Sequence, residues 1–428
     1  MTWETGNRKK MLLSYVPVAV LIVLASFRLI QSYRTNWQID FLAYMDVSRA
    51  VIKNLDPYDI KNLIYFPQDR LPVSYPGISI FFIPFIMMGK TAAVTVFFIL
   101  NTAAAFGLYY ILLKATGIWN KIDFKKPNRY FFLFWMLGFV YINSQPVLTC
   151  LRHGQIAIIV SLGMLLLLVE LKCRWKALLF SFAAVLKFSM LTLFGPLLFA
   201  KGRYFLCITA FILFIIISST PLIFGVNLIT LYSDYINELS AQINGGFNTY
   251  SQSGYNMLHL SCFRINLFNI LLKMIFALLF IHVLYQEWHK PSFSLNLLLF
   301  VFSCSMLLSY HRVYDLCAVN AILAIKFILF IEQRQYIHCA IAGGLMLFFI
   351  IPQSIFLRIC SIIGKLPCSD RIFCLSDYYQ GIPNLFPLLP LIVMAITVWS
   401  WILYMKAEPD FEFEGKNYVE NAPEPVAG

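Results

Sequence analysis

Apolar runs long enough to cross a bilayer as a helix, about 20 residues, recur along the chain between short basic segments. The first covers 11–30, behind Arg8, Lys9 and Lys10. It is long and no small-residue cleavage site follows, so it predicts an uncleaved span with a cytoplasmic N-terminus rather than a signal peptide. Residues 31–90 predict an external segment with two helices. One is an amphipathic stretch, 40–54. The other runs from Pro76 to Lys90, is broken by Gly77 and Pro84, and lies on or dips into the membrane surface. Further spans are predicted over 91–115, 130–148, 155–171, 204–225, 264–286, 293–310, 313–331, 336–352 and 385–405. Polar outer loops are predicted at 226–261 and 353–384.

The run 177–200 does not fit one span. Lys172, Arg174 and Lys176 precede it, Lys201 and Arg203 follow it, and Lys187 stands in its middle. Two short helices meeting near Lys187 would put both ends on the basic side, as discontinuous helices do in transporters. The sum is an all-α polytopic membrane protein with about twelve embedded helices over residues 1–405 and no internal repeat. The stretch 406–428 is acidic and contains prolines, which predicts a disordered cytoplasmic tail.

Composition agrees. Of 428 residues, 60% are hydrophobic and 13% charged, where a soluble domain is nearer half and a quarter. The net charge of +12 does not indicate nucleic acid, because the basic residues cluster between spans and mark the inner side. Cys207, Cys304, Cys317 and Cys339 fall in spans as small hydrophobes. Cys360, Cys368 and Cys374 share one outer loop, where an oxidising compartment would permit a disulfide. No CxxC pairs with another, so neither a zinc site nor any other metal is expected.

Several polar groups converge on the outer ends of the predicted spans. Asp40 follows the first span, with Tyr44 four residues on and so on the same helix face. A carboxylate there can be a general base, a metal ligand, a salt-bridge partner or a helix cap. Asp46, Asp56, Asp59 and Asp69 share its segment and read as solvated, and Leu55-Asp56-Pro57-Tyr58 reads as a turn. Arg152-His153-Gly154-Gln155 opens a span, with Gly154 allowing a tight turn. Lys187, deep in an apolar run, costs roughly 2.5–3.5 kcal/mol to insert; it is either a snorkelling lysine or one paired structurally with an acid, or a cation at the join of two half-helices that binds phosphate. In Tyr310-His311-Arg312-Val313-Tyr314-Asp315, His311 and Asp315 stand four apart. Arg312 offers a planar fork for phosphate, and Asp315 either orients His311 or binds a sugar.

Taken in order, these motifs resemble glycosyltransferase family 87, the polyprenol-phosphate-mannose-dependent mannosyltransferases of the GT-C superfamily. The resemblance rests on Asp40-Phe41-Leu42-Ala43-Tyr44, Asn54-Leu55-Asp56-Pro57-Tyr58, Tyr75-Pro76, Gly154-Gln155, Lys187 and Tyr314-Asp315-Leu316, and covers about residues 10–330. The chain departs from the family's pattern at Asn54, where glycine is usual, and at Gly77, where a second proline is. The resemblance implies a GT-C-type bundle with 31–90 as an external catalytic loop. It also implies a lipid-linked sugar donor, a lipid or glycan acceptor, and transfer on the extracytoplasmic face of the cytoplasmic membrane without a cofactor. Asp40 is then the base. Lys187, Arg312, Arg152 and His311 hold the donor phosphate. Tyr44, Tyr75, His153, Gln155, Tyr314 and Asp315 line the substrate. The chain has no glycine-rich nucleotide-binding domain, which argues against a nucleotide-sugar donor. A transporter or flippase would use the same embedded charges but should show a two-fold repeat. A scaffold, polymerase or ligase of lipid-linked glycans is the third alternative; a ligase would want a larger outer loop than 226–261.

Overall fold

The computed structural model describes residues 2–34, 38–66, 74–166, 173–187, 192–249, 266–290, 292–309, 313–351, 389–406 and 412–413. These residues contain sixteen α-helices: α1 (Thr2–Arg34), α2 (Ile39–Ile52), α3 (Ser79–Met88), α4 (Lys90–Ala115), α5 (Arg129–Ile142), α6 (Gln145–His153), α7 (Ala157–Leu166), α8 (Cys173–Leu186), α9 (Phe194–Ala200), α10 (Tyr204–Ser218), α11 (Leu228–Thr249), α12 (Asn266–Gln286), α13 (Leu295–Leu308), α14 (Cys317–Glu332), α15 (Tyr336–Ile350) and α16 (Leu389–Met405). One short antiparallel pairing, Phe293–Ser294 with Glu412–Phe413, is the only strand structure among them. His311, Arg312, the three loop cysteines and most of the predicted tail lie outside the described residues.

Three helices are long and apolar enough to cross a membrane alone: Tyr15–Arg34 of α1, α4, and α10 continued to Phe224. Helices α5 and α6, bent by 51°, make a fourth if taken as one span. The other apolar helices are shorter, so the expected count of about twelve embedded helices is not established. The outward ridge of α10, with Phe205, Ile208, Phe211, Ile212 and Ile216, is exposed, as an apolar helix is when its surroundings are lipid.

Helices α13 and α14 form the centre. Every residue from Leu295 to Leu307 is buried, as is every one from Cys317 to Phe330 except Phe327. The amphipathic stretch 40–54, expected within the external segment, is covered by the rest of the fold. In α2 every residue from Phe41 to Val51 is buried. Phe41 stacks on Phe97 of α4 with ring centroids 4.3 Å apart and meets Phe82 and Phe85 of α3, so α2 is covered by aromatic packing rather than by lipid headgroups. The expected outer loop after 226 is mostly the helix α11.

The ends of these elements follow from their residues. Asn128 caps α5, its side chain accepting from Phe131 N at 2.9 Å. Helix α2 ends in a left-handed residue, Asn54 (φ 53°), with Leu55 N donating to Ala50 O and Asn54 N to Val51 O. That is a Schellman cap, where glycine is commonest and asparagine is tolerated. The substitution of Asn54 for the family's glycine therefore preserves the turn. Gly77, the other departure, lets a 3-10 turn at Pro76–Ile78 press close to α10; a Cβ there would come within 3.3 Å of the Ser218 Cα.

Candidate active site

The site is built where the start of α2 meets the end of α6. Gln38 precedes α2 in a left-handed conformation (φ 39°). Its backbone N–H donates to Arg152 O at 3.1 Å and its side-chain amide to Leu151 O at 2.7 Å. Both carbonyls belong to the last turn of α6, which has no partners of its own. Gln38 thus caps one helix while starting the next. Nothing in the sequence around Gln38 signals this role.

Arg152 and His153 do not open a span, as expected, but close α6. Gly154 ends that helix at φ 67°, and Gln155 N returns to Cys150 O at 3.0 Å. The glycine is required twice over. Its conformation is left-handed, and a Cβ would fall on the Gln38 side-chain oxygen and within 2.6 Å of Phe41 Cβ. Gly154→Ala is expected to cost roughly 2–4 kcal/mol through strain and overpacking. A fall in the thermal midpoint of the purified protein, with parallel loss of activity, would show it; an unchanged midpoint would disprove the close approach.

This junction sets Asp40 against His153. Asp40 Oδ2 lies 3.8 Å from His153 Nδ1, with the side chains 19% and 39% exposed. The Oδ2 atom is itself covered and has no hydrogen bond. Asp40 is in the first turn of α2, where the helix dipole favours a negative charge. Tyr44 does not hold Asp40. Its hydroxyl donates to Gln155 Oε1 at 3.0 Å, tying the second turn of α2 to the residue after Gly154.

The second charged group lies across α6. The 3-10 turn Val313–Leu316 packs against α6 and α7 and carries Asp315, which is fully buried and ion-paired with Lys187. Helix α8 stops at Leu186 and α9 begins at Phe194, so Lys187 does stand where the apolar run breaks. The expected meeting of Lys187 with the late acidic motif is found, but as a direct ion pair. Breaking a buried pair typically costs about 3–5 kcal/mol, whereas replacing both partners by apolar residues is often nearly neutral. Lys187→Met is therefore expected to destabilise by that amount and Lys187→Met with Asp315→Leu by much less. Equal thermal midpoints for the two variants would contradict a coupled pair. Tyr314 belongs to the same 3-10 turn, but its side chain lies outside the described set.

One candidate stands apart from these charged groups, and one expectation fails. Tyr75 stands with Phe214, Tyr232 and Tyr235 and donates to Ser218 Oγ at 2.8 Å; none of Asp40, His153, Lys187 or Asp315 bonds it. Asp46, read as solvated, is fully buried. It accepts from Tyr65 N and Phe66 N at 2.7 Å each and from Ile64 N at 3.1 Å, and faces Arg49 Nε at 3.6 Å. Asp46 folds the segment after α2 back onto that helix. Asp56 and Asp59 do act in turns, accepting from Tyr58 N and Lys61 N. Burial raises the Asp56 carboxyl above its ordinary range, helped by the neighbouring Asp234 and Asp59 and opposed by the Tyr58 hydrogen bond.

Arg152 completes the group. Its Nε is covered and has no hydrogen bond, and Arg28 of α1 lies close enough for the two like charges to repel.

No curated protein matches the chain. A family model, glycosyltransferase family 87, matches residues 75–309, which is more than half the chain, though narrower than the resemblance read from the motifs. The match takes in Tyr75, Arg152, His153, Gln155 and Lys187 and leaves Asp40 and Asp315 on either side of it. The chain belongs to glycosyltransferase family 87, and with its long apolar helices it is a membrane glycosyltransferase.

Proposed function

We propose that the protein transfers a sugar, mannose by default, from a polyprenyl-phosphate carrier to a lipid or glycan acceptor, with inversion, on the extracytoplasmic face of the cytoplasmic membrane. The observation that carries this reading is the junction of α2 and α6. It holds a carboxylate with an unbonded oxygen, Asp40, beside His153 and Arg152.

The chemistry asks for those groups. The acceptor oxygen bonds to the anomeric carbon as the bond from that carbon to the phosphate oxygen breaks, and the electron pair leaves with the phosphate. The phosphate is already a stable anion, so its departure needs cations more than a strong general acid. Arg152 supplies one, and Arg312 and His311, three and four residues before Asp315 in the sequence, are assigned as the others. Lys187 reaches the same phosphate from its pair with Asp315. The acceptor's proton goes to Asp40 on the opposite face of the sugar, late in the reaction, as charge develops at an oxocarbenium-like centre. One displacement inverts the anomeric configuration. Tyr44 and Gln155 shape the wall next to Asp40, and Tyr75 and Tyr314 are assigned to the substrate. No metal or cofactor enters this scheme.

The test is direct. Purified protein is incubated with polyprenyl-phosphate sugars and a panel of lipid and glycan acceptors, and released polyprenyl phosphate is measured. The expected result is release that depends on the acceptor, with a product of opposite anomeric configuration by NMR. Transfer from nucleotide sugars alone, or a retained configuration, would overturn the scheme.

A further inference from the structure

Arg28 has no role in the scheme above, yet its position is costly. It lies on α1 within the span Tyr15–Arg34, and its side chain is exposed on the outside of the fold. A charged residue within a span usually faces a partner or marks a function. Here another cation, Arg152, is within electrostatic reach, and the two like charges repel. Among the described residues neither arginine is in an ion pair; the acids that are paired serve Arg49, Lys121, His153, Lys187, Lys201 and Lys290.

Two further polar atoms, one on α1 and one on α6, are covered without a hydrogen bond. Arg152 Nε is covered without a hydrogen bond. Ser32 lies one turn from Arg28 on the same face of α1; it is fully buried and its Oγ also has no hydrogen bond. Helix α1 packs against α6. Two guanidinium groups, each with planar donors, and a hydroxyl are the groups that bind a tetrahedral phosphate. Two unneutralised cations side by side become favourable once an anion sits between them.

We propose that Arg28, Arg152 and Ser32 form a phosphate clamp on the lipid-facing side of the α1–α6 seam, which takes the phosphate of a membrane-borne lipid and so sets the attached sugar between that phosphate and Asp40. Arg28 is open to the bilayer while Arg152 is half-buried beside the catalytic group. The phosphate thus passes from the outer arginine to the inner one without leaving the membrane. Use of the clamp by the sugar donor rests on the proposed function; the clamp's affinity for a lipid phosphate does not.

The experiment measures binding of polyprenyl phosphate to purified wild-type protein, Arg28→Gln, Arg28→Lys and Ser32→Ala. Polyprenol, inorganic phosphate and phosphatidylglycerol are the comparison ligands. Charge-assisted hydrogen bonds of this kind set the expected scale. Arg28→Gln should weaken polyprenyl phosphate at least about tenfold, Arg28→Lys less, and polyprenol binding should not change. Because Arg28 is exposed, Arg28→Gln should keep the wild-type thermal midpoint. Tighter binding of polyprenyl phosphate than of phosphatidylglycerol supports a donor clamp. Equal binding of the two, or strong binding of inorganic phosphate alone, overturns it, as does undiminished polyprenyl phosphate affinity in Arg28→Gln. If Asp40→Asn remains active while Arg28→Gln loses lipid-phosphate affinity, the catalytic scheme fails and the clamp stands.

Discussion

Asp40→Asn is expected to fold, to bind the lipid donor, and to transfer sugar at least about a hundredfold more slowly than the wild type, since removing a positioned base typically costs 10²–10⁴-fold. The geometry makes this substitution unusually clean. Asp40 Oδ2 has no hydrogen bond to lose, and the His153 imidazole Nδ1 is 3.8 Å away. Asparagine keeps the shape and cannot accept the acceptor's proton. Transfer rate and donor affinity should therefore separate, with the rate falling and the affinity holding. Near-normal turnover would remove Asp40 from the mechanism. Asp315 would then be the next acid to test, although its pairing with Lys187 suits it poorly to act as a base.

The second large effect is on folding rather than on rate. Asp46→Asn, six residues away, is expected to destabilise the protein by about 3–5 kcal/mol, the usual consequence of breaking a buried charge and its hydrogen bonds, out of a total of about 5–15 kcal/mol. In either orientation an asparagine amide meets donors. It would face Tyr65 N and Phe66 N on one side, or Ile64 N and the Arg49 guanidinium on the other. The thermal midpoint should drop, and whatever protein survives should keep its rate per folded molecule. An Asp46→Asn protein with wild-type stability and slow transfer would exchange the roles assigned to the two aspartates.

Those two carboxylates show what was legible in the chain and what was not. Basic loops and apolar runs follow from the cost of inserting charge, so the helical membrane character is visible, as is the break at Lys187. Asp315 is findable because a late acid after an apolar run needs a cation. Asp46 is not, because four acids in one polar segment look alike until the backbone amides of Ile64, Tyr65 and Phe66 are seen to close around one of them. The same limit hid the burial of α2. Its apolar and polar residues alternate as on a surface helix, and only the phenylalanines of α3 and α4 reveal that it is covered on all sides. Gln38 and the last turn of α6 meet through backbone groups, which leave no mark on side-chain spacing. Arg152 and His153 were placed at the wrong end of a helix because Gly154, a terminator at positive φ, reads equally well as an opening turn.

The Gln38 contact also sets an order of manufacture. Gln38 and its acceptor at Leu151 are 113 residues apart, and Lys187 and Asp315 are 128 apart. At roughly 5–20 residues per second, the ribosome leaves α2 without the end of α6 for roughly 6–23 s. Throughout that interval a helix bearing Asp40, Asp46 and Arg49 has no interior to enter and must wait in contact with water, while the spans before and after it are already passing into lipid. Helix α2 is thus synthesised early and seated late, and a nascent chain that stops short of Gly154 carries Asp40 without the helix end that Gln38 docks on.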